Sequence, residues 1–205
     1  MAPLADATPK KPGRFEGWRS ILSTIAVLLI APIFALILTA FVFQSYQVDG
    51  DSMETTLQHN DRLIVWKVPR TWARITGNPY VPKRGDIVVF TEPSVAQFGQ
   101  SASKQLIKRV VGLPGERVVV KDGKLTVYND QYPNGFRPDK TLPYGESIDI
   151  TPGEVDVSVP KGKIFVAGDN RANSLDSRSF GPIDANNIVG KLAARVFPIN
   201  NAERF

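Results

Sequence analysis

The 205-residue chain has no cysteine, one histidine and two methionines. Without cysteine there are no disulfides and no thiolate metal sites, and a lone histidine leaves only carboxylates as a ligand set, so neither a metal nor a cofactor is expected. The same absences narrow nucleophilic catalysis. A cysteine nucleophile is excluded, and a serine would have His59, a lysine or an N-terminal amine as its proton acceptor. A charge imbalance of one sign is also missing. The 25 Lys and Arg stand against 20 Asp and Glu, interspersed rather than clustered, so a nucleic-acid partner is not expected.

What the chain does have is one long apolar run. Ile21 to Phe43 is 23 residues without a charge, and about 20 such residues cross a hydrocarbon core as a helix. Pro32 falls inside it, a position that a bilayer helix tolerates better than a soluble one. A cleavable secretory signal is the competing reading. Signal cores are shorter, roughly 7 to 15 residues, and end in a small-x-small site, whereas this run continues into Phe41-Val42-Phe43-Gln44-Ser45-Tyr46. The chain is therefore read as carrying a retained single-pass anchor in a cell membrane. Lys10, Lys11, Arg14 and Arg19 precede the run and the first basic residue after it is Arg62, so the positive-inside rule places the N-terminus in the cytoplasm and everything from Gln44 outside it. Residues 1–20, with Pro3, Pro9, Pro12 and Gly13 among charges, read as a short disordered tail.

Residues 44–205 suffice for one domain with a sizeable core. Short runs rich in Val and Ile predict strands at Leu63 to Trp66, Asp86 to Phe90, Leu106 to Val111, Val118 to Val120, Leu125 to Tyr128, Ile164 to Val166 and Ile188 to Val196, making the domain mainly β. Asp122-Gly123 between two such runs predicts a type I′ hairpin, because glycine adopts the required positive φ freely. Tyr128 to Val159, rich in Pro, Gly and Asp, reads as a loop-rich or small β insertion.

Ser52, in Gly50-Asp51-Ser52-Met53, follows the apolar run by nine residues. His59 lies in the polar stretch Gln58-His59-Asn60-Asp61-Arg62, which favours a solvated surface position over a catalytic one. A lysine base has to be neutral near pH 7 although its reference pKa is about 10.4, and burial against apolar side chains supplies that shift. Lys108 sits in such a strand, Leu106-Ile107-Lys108-Arg109-Val110-Val111, sharing a face with Leu106 and Val110. Alternation alone does not decide whether Lys108 or Arg109 points inward. Arginine cannot be deprotonated, so only Lys108 is usable as a base. The bland alternative is a strand lysine that snorkels to water.

Four ordered segments carry a further signal: Gly50 to Leu57, Arg84 to Phe90, Lys108 to Glu116 and Gly168-Asp169-Asn170-Arg171-Ala172-Asn173-Ser174-Leu175-Asp176-Ser177-Arg178-Ser179-Phe180-Gly181. In this order they resemble the conserved boxes of the bacterial type I signal peptidases, membrane-anchored Ser/Lys proteases that remove signal peptides from exported preproteins. The resemblance implies an extracytoplasmic β-rich catalytic domain behind the anchor, preproteins and membrane lipid as partners, and cleavage after small-x-small sites. It implies Ser52 as nucleophile and Lys108 as base, Ser174 as a serine that orients the lysine, and Asp169, Asp176 and Arg178 as salt-bridged support. Met53, Phe90, Ile107 and Val110 are the implied apolar contacts of the substrate side chains. The Ser52 backbone N–H is the implied oxyanion donor. Gly50 departs from members that place an additional hydroxyl donor there, and Thr55 stands where proline is usual.

Residues 66–80 mix Trp66, Trp72 and Tyr80 with Lys67, Arg70 and Arg74, a composition suited both to a lipid interface and to a solvated loop. A signal-anchored β-domain that only binds peptides or envelope material would share the span and strands without needing Ser52 and Lys108 together. The self-cleaving repressors with the same chemistry carry a DNA-binding domain where this chain has its apolar run, and the eukaryotic relatives have histidine in place of Lys108.

Overall fold

The computed structural model describes residues 14–77, 79–92 and 105–205. It divides into two compact units that meet between Ala40 and Phe41. In the first, α1 (Arg14–Ile37) runs through Pro32 and continues as a wider-wound turn over Leu38–Val42. Ile21–Val42 is long and apolar enough to cross a membrane, and none of its most apolar stretch is buried by protein. The disordered tail expected up to residue 20 is overturned from Arg14 onward, because the helix starts seven residues before the apolar run does; residues 1–13 lie outside the described residues.

The second unit is built on two antiparallel sheets. The larger runs in the order β1 (Phe43–Gln47), β2 (Arg62–Trp66), β10 (Ile188–Phe197), β3 (Ile87–Thr91), β4 (Gln105–Gly112), β8 (Lys163–Ala167) and β9 (Ile183–Asp184), with β11 (Glu203–Arg204) on β10. The smaller sheet is β6 (Lys124–Tyr128), β5 (Arg117–Lys121) and β7 (Val155–Ser158). All seven expected strands are present, and Asp122 and Gly123 carry φ of 51° and 71°, the two positive values of a type I′ turn. The insertion after Tyr128 supplies the short helix α3 (Pro138–Thr141) and strand β7. Phe43 belongs to β1, where it pairs with Trp66, so the apolar run stops being helix one residue earlier than its composition implied. Lys67 precedes a second helix, α2 (Val68–Thr76).

Apolar clusters hold the sheets together, one of them being Val65, Val89 and Val189 with Tyr46 and Ile107 packed against it. Val88, Phe90, Val110, Val166 and Ile188 form another on the larger sheet. Val111, Val118, Leu125, Val127 and Phe165 join the larger sheet to the smaller. Val48, Met53, Leu57, Leu63, Ile87 and Leu192 form a further one, which pins the β1–β2 connection to the sheet. Met53 and Leu57 are 1% and 0% exposed, so the loop carrying Ser52 is anchored by its own apolar side chains.

The hairpin tests the turn argument. A Cβ at Gly123 would be forced into left-handed backbone and would press on Ile150. Gly123→Ala is expected to cost about 1–2 kcal/mol, read as a lower urea midpoint at unchanged slope.

Candidate active site

Ser52 stands on a loop whose two ends are tied together. Val48 N–H donates to Asp61 O at 2.9 Å and Asn60 N–H to Val48 O at 3.0 Å, while the Asp61 carboxylate accepts from Gln58 N–H and from Arg195 Nη1. Lys108 reaches this loop from β4, where it lies opposite Val88 in register. It is 3% exposed, its Nζ is 2.6 Å from Ser52 Oγ and 3.0 Å from Ile107 O. The strand lysine and the candidate serine, 56 residues apart in sequence, thus meet within hydrogen-bond distance.

The segment after β8 presses on the same loop. Asn170 N–H donates to Ser52 O at 3.2 Å and Asn170 Nδ2 to Asp51 O at 3.2 Å. Thr56 Oγ1 donates to Asp169 Oδ2 at 2.6 Å. Gly168 has to be glycine for this approach, since a Cβ there would collide with Ser52 O and Ser174 Oγ.

Three buried ion pairs fix the segment. Arg109, beside the lysine, turns its guanidinium to Asp169 through Nη2 at 2.6 Å and Nε at 2.9 Å, donates to Gly85 O and stacks 4.3 Å from the Tyr144 ring centre. Arg171 pairs with Asp139 of α3 at 2.6 Å and donates through Nε to Gly168 O. Arg178 pairs with Asp176 at 2.8 Å, the acid being fully buried. Burial alone would raise the Asp176 carboxyl, but the Arg178 guanidinium and the Gly168 N–H hold it below the usual carboxylate range.

Several expectations change against this geometry. Phe90 and Val110 are wholly buried in the cluster with Val88 and Val166 and do not line the cleft beside Ser52. Val89 and Ile107, paired across β3 and β4, line the cleft together with Leu106 and Lys108. Ile107 lines the cleft; Met53 packs behind it against Leu63, a lining residue. Ser174 Oγ is buried against the Gly168 backbone, where its hydroxyl is among the groups that hold the Asp176 carboxyl down. His59 is half-exposed but not idle, its Nδ1 accepting from Gly50 N–H at 3.1 Å.

Sequence reasoning missed Arg109 and Arg171 as support, although a charge inside an apolar strand demands a partner when buried. It also missed Gly168, which local sequence presents as an ordinary turn glycine. The cleft itself, about 90 Å³, is lined by Tyr46, Val48, Leu63, Val89, Leu106 and Ile107 around Ser52 and Lys108.

The family profile described as "Signal peptidase, peptidase S26" matches residues 21–197, from the apolar run to the end of β10. The chain belongs to this family. Relatives extend along nearly all of it. A protein named "Probable signal peptidase I-1" from Synechocystis is 36% identical, covering 88% of this chain and 85% of its own. "Signal peptidase I" from Bacillus licheniformis is 32% identical over 90% of this chain and 93% of its own, and "Signal peptidase I V" from Bacillus subtilis is 38% identical over 80% and 92%. A crystal structure of a signal peptidase I from Enterococcus faecalis aligns with 56% of this chain and 99% of its own at 26% identity and a TM-score of 0.39. As a signal peptidase the protein is a hydrolase, a protease of the signal-peptide-removing kind.

The Asp176 pair gives a pH test. A carboxyl whose folded pKa is depressed stabilises the fold above its unfolded pKa, and that share is lost as pH falls through the folded value. Unfolding free energy is expected to decline on acidification below the ordinary aspartate range. Asp176→Asn, which strands Arg178, is expected to cost about 3–5 kcal/mol at neutral pH and to flatten the acid limb; urea titrations across pH read both.

Proposed function

We propose that Ser52 and Lys108 form the catalytic dyad of a signal peptidase that cuts exported preproteins after small-x-small sequences. The observation that carries this reading is the 2.6 Å separation of Lys108 Nζ and Ser52 Oγ, inside the range a nucleophile and its base require. Burial of the lysine head favours its neutral form. Neutral Nζ takes the hydroxyl proton as Ser52 Oγ attacks the scissile carbonyl carbon, and the Ser52 backbone N–H receives the developing oxyanion. Collapse of the tetrahedral intermediate breaks the C–N bond, the proton passes from Nζ to the leaving amine, and the acyl-enzyme is then hydrolysed by water activated by the same amine. Ser174 is assigned to hold the ammonium while it is charged, and the Asp169 and Asp176 ion pairs to keep the loops in register.

The substrate side is read from β4. Residues 105–108 pair with β3 on one edge, whereas pairing with β8 begins only at Arg109. That leaves backbone beside Lys108 for an extended peptide to add to. The adjoining cleft of about 90 Å³, walled by Val48, Leu63, Val89 and Ile107, suits alanine-sized side chains and resists larger ones. With the apolar helix as a retained anchor and the basic residues before it in the cytoplasm, the catalytic unit lies on the extracytoplasmic side, where a membrane-embedded signal helix would offer its cleavage site.

Ser52→Ala and Lys108→Ala are each expected to lower preprotein cleavage by at least roughly a thousandfold without loss of fold. Lys108→Arg should fail equally, because it keeps the charge and loses the base. Activity of the native protein should climb as pH is raised, and His59→Ala should leave that profile in place. Gel assays on detergent-solubilised protein read all four; near-normal cleavage by either alanine variant overturns the dyad.

A second measurement addresses the pocket. Changing the alanine before the scissile bond of a model preprotein to leucine is expected to reduce kcat/KM by about a hundredfold or more, the scale on which a filled apolar pocket rejects added methylenes. Equal rates would assign the cleft another role.

A further inference from the structure

We propose that the pocket between α2 and the turn at Ala185–Asn187 binds the phosphate of an anionic phospholipid headgroup. The proposal rests on the reading above that the apolar run spans a membrane, and adds to it a lipid site on the extracytoplasmic unit.

The pocket has a volume of about 330 Å³ and is walled by Arg70, Arg74, Tyr80 and Asn186, with no acidic residue among its lining. Two arginines one helical turn apart present guanidinium groups that match phosphate oxygens better than lysine would. Arg70 Nε is buried without a hydrogen-bond partner among the described residues, and an unsatisfied buried donor carries a penalty that an anion would remove. Burial first and then the neighbouring Arg74 charge push the Arg70 pKa down, against a smaller upward pull from Tyr46, so a bound anion would favour the charged pair.

The place of α2 in the chain selects lipid over a soluble anion. Lys67 N–H donates to Val42 O at 2.8 Å and Thr71 Oγ1 to Phe41 O at 3.1 Å, so α2 is hydrogen-bonded to the last residues of the apolar run. It begins at the height where that run leaves the hydrocarbon. Trp72 and Ile75, three residues apart, are 65% and 72% exposed. A free anion would cover neither, whereas the headgroup and upper acyl region accommodates indole rings and apolar side chains next to basic ones.

The test uses the full chain in a neutral detergent, with Trp18→Phe and Trp66→Phe leaving Trp72 as the sole indole of the three. Short-chain phosphatidylglycerol and phosphatidylcholine, each brominated on the acyl chains, are titrated in and quenching of Trp72 gives an apparent Kd. Phosphatidylglycerol is expected to bind at least about tenfold more tightly, and Arg70→Gln and Arg74→Gln each to weaken it about fivefold while phosphatidylcholine is unaffected. Arg74 is exposed, so its variant keeps the test valid should Arg70→Gln disturb the helix. Lys124→Gln, on the smaller sheet, should change nothing. Equal affinity for the two lipids, an equal effect of Lys124→Gln, or displacement by millimolar inorganic phosphate would each overturn the lipid site, the last by assigning it to free anions. Absence of quenching by either lipid would overturn the placement of α2 at lipid. Preprotein cleavage is not the readout, so this result and that of the Ser52 variants stand or fall separately.

Discussion

Everything at the site depends on how closely the backbone at Gly168 approaches the carbonyl of Ser52. The contact leaves no volume for a Cβ and lets Asn170 hydrogen-bond the peptides of Ser52 and Asp51. Two loops that are 116 residues apart in sequence therefore act as one wall. Neither loop has a secondary structure that would hold it there. The restraint comes from Met53 and Leu57 buried on one side and from the Arg109–Asp169 and Arg171–Asp139 pairs on the other.

Those pairs also settle an electrostatic problem. A reacting lysine is useful as a base only when nothing nearby favours its charged form, yet three buried aspartates lie in or against the segment beside it. Each has its own guanidinium, Arg109 on Asp169, Arg178 on Asp176 and Arg171 on Asp139. Arginine stays charged at any pH the fold survives, so the acids remain neutralised pairwise over the whole range in which a lysine titrates. Under the proposed reading, adjacent strand positions 108 and 109 thus hold opposite requirements: one cation that has to lose its proton and one that never does. Buried pairs of this kind add little net stability against an apolar substitute; their contribution here is to fix position and to remove stray field.

The sequence made the strands and the Asp122-Gly123 hairpin legible because each rests on local physics, alternation and a positive-φ turn; the pairing of Ser52 with Lys108 was implied by the resemblance of the four ordered segments, the uselessness of arginine as a base only narrowing the choice. Phe90 and Val110 were misplaced because the period of two says which residues share a face but not how deep each one lies: Leu106 and Lys108, on the face of Val110, line the cleft, whereas Val110 is wholly buried. The helix at 14–20 and the strand at Phe43–Gln47 were hidden by composition. The first is polar helix continued from an apolar one, and the second opens with apolar residues indistinguishable from the span. Arg109 was readable as unsuitable chemistry but not as support, since its partner Asp169 lies 60 residues away.

The junction of span and strand has a consequence for what the enzyme meets. Val42 closes the apolar helix and Phe43 opens β1 with no linker between them, and β1 is locked to β2 along five registered pairs. Ser52 lies ten positions after Val42, so it lies within roughly 35 Å of the end of the apolar helix even at full extension. A flexible tether would have let a soluble domain roam and sample any nearby peptide. With β1 following the apolar helix directly, the short connection bounds that reach, and under the proposed reading selection between substrates then has two parts: small side chains fit the cleft, and only a bond presented within that reach of the bilayer meets Ser52.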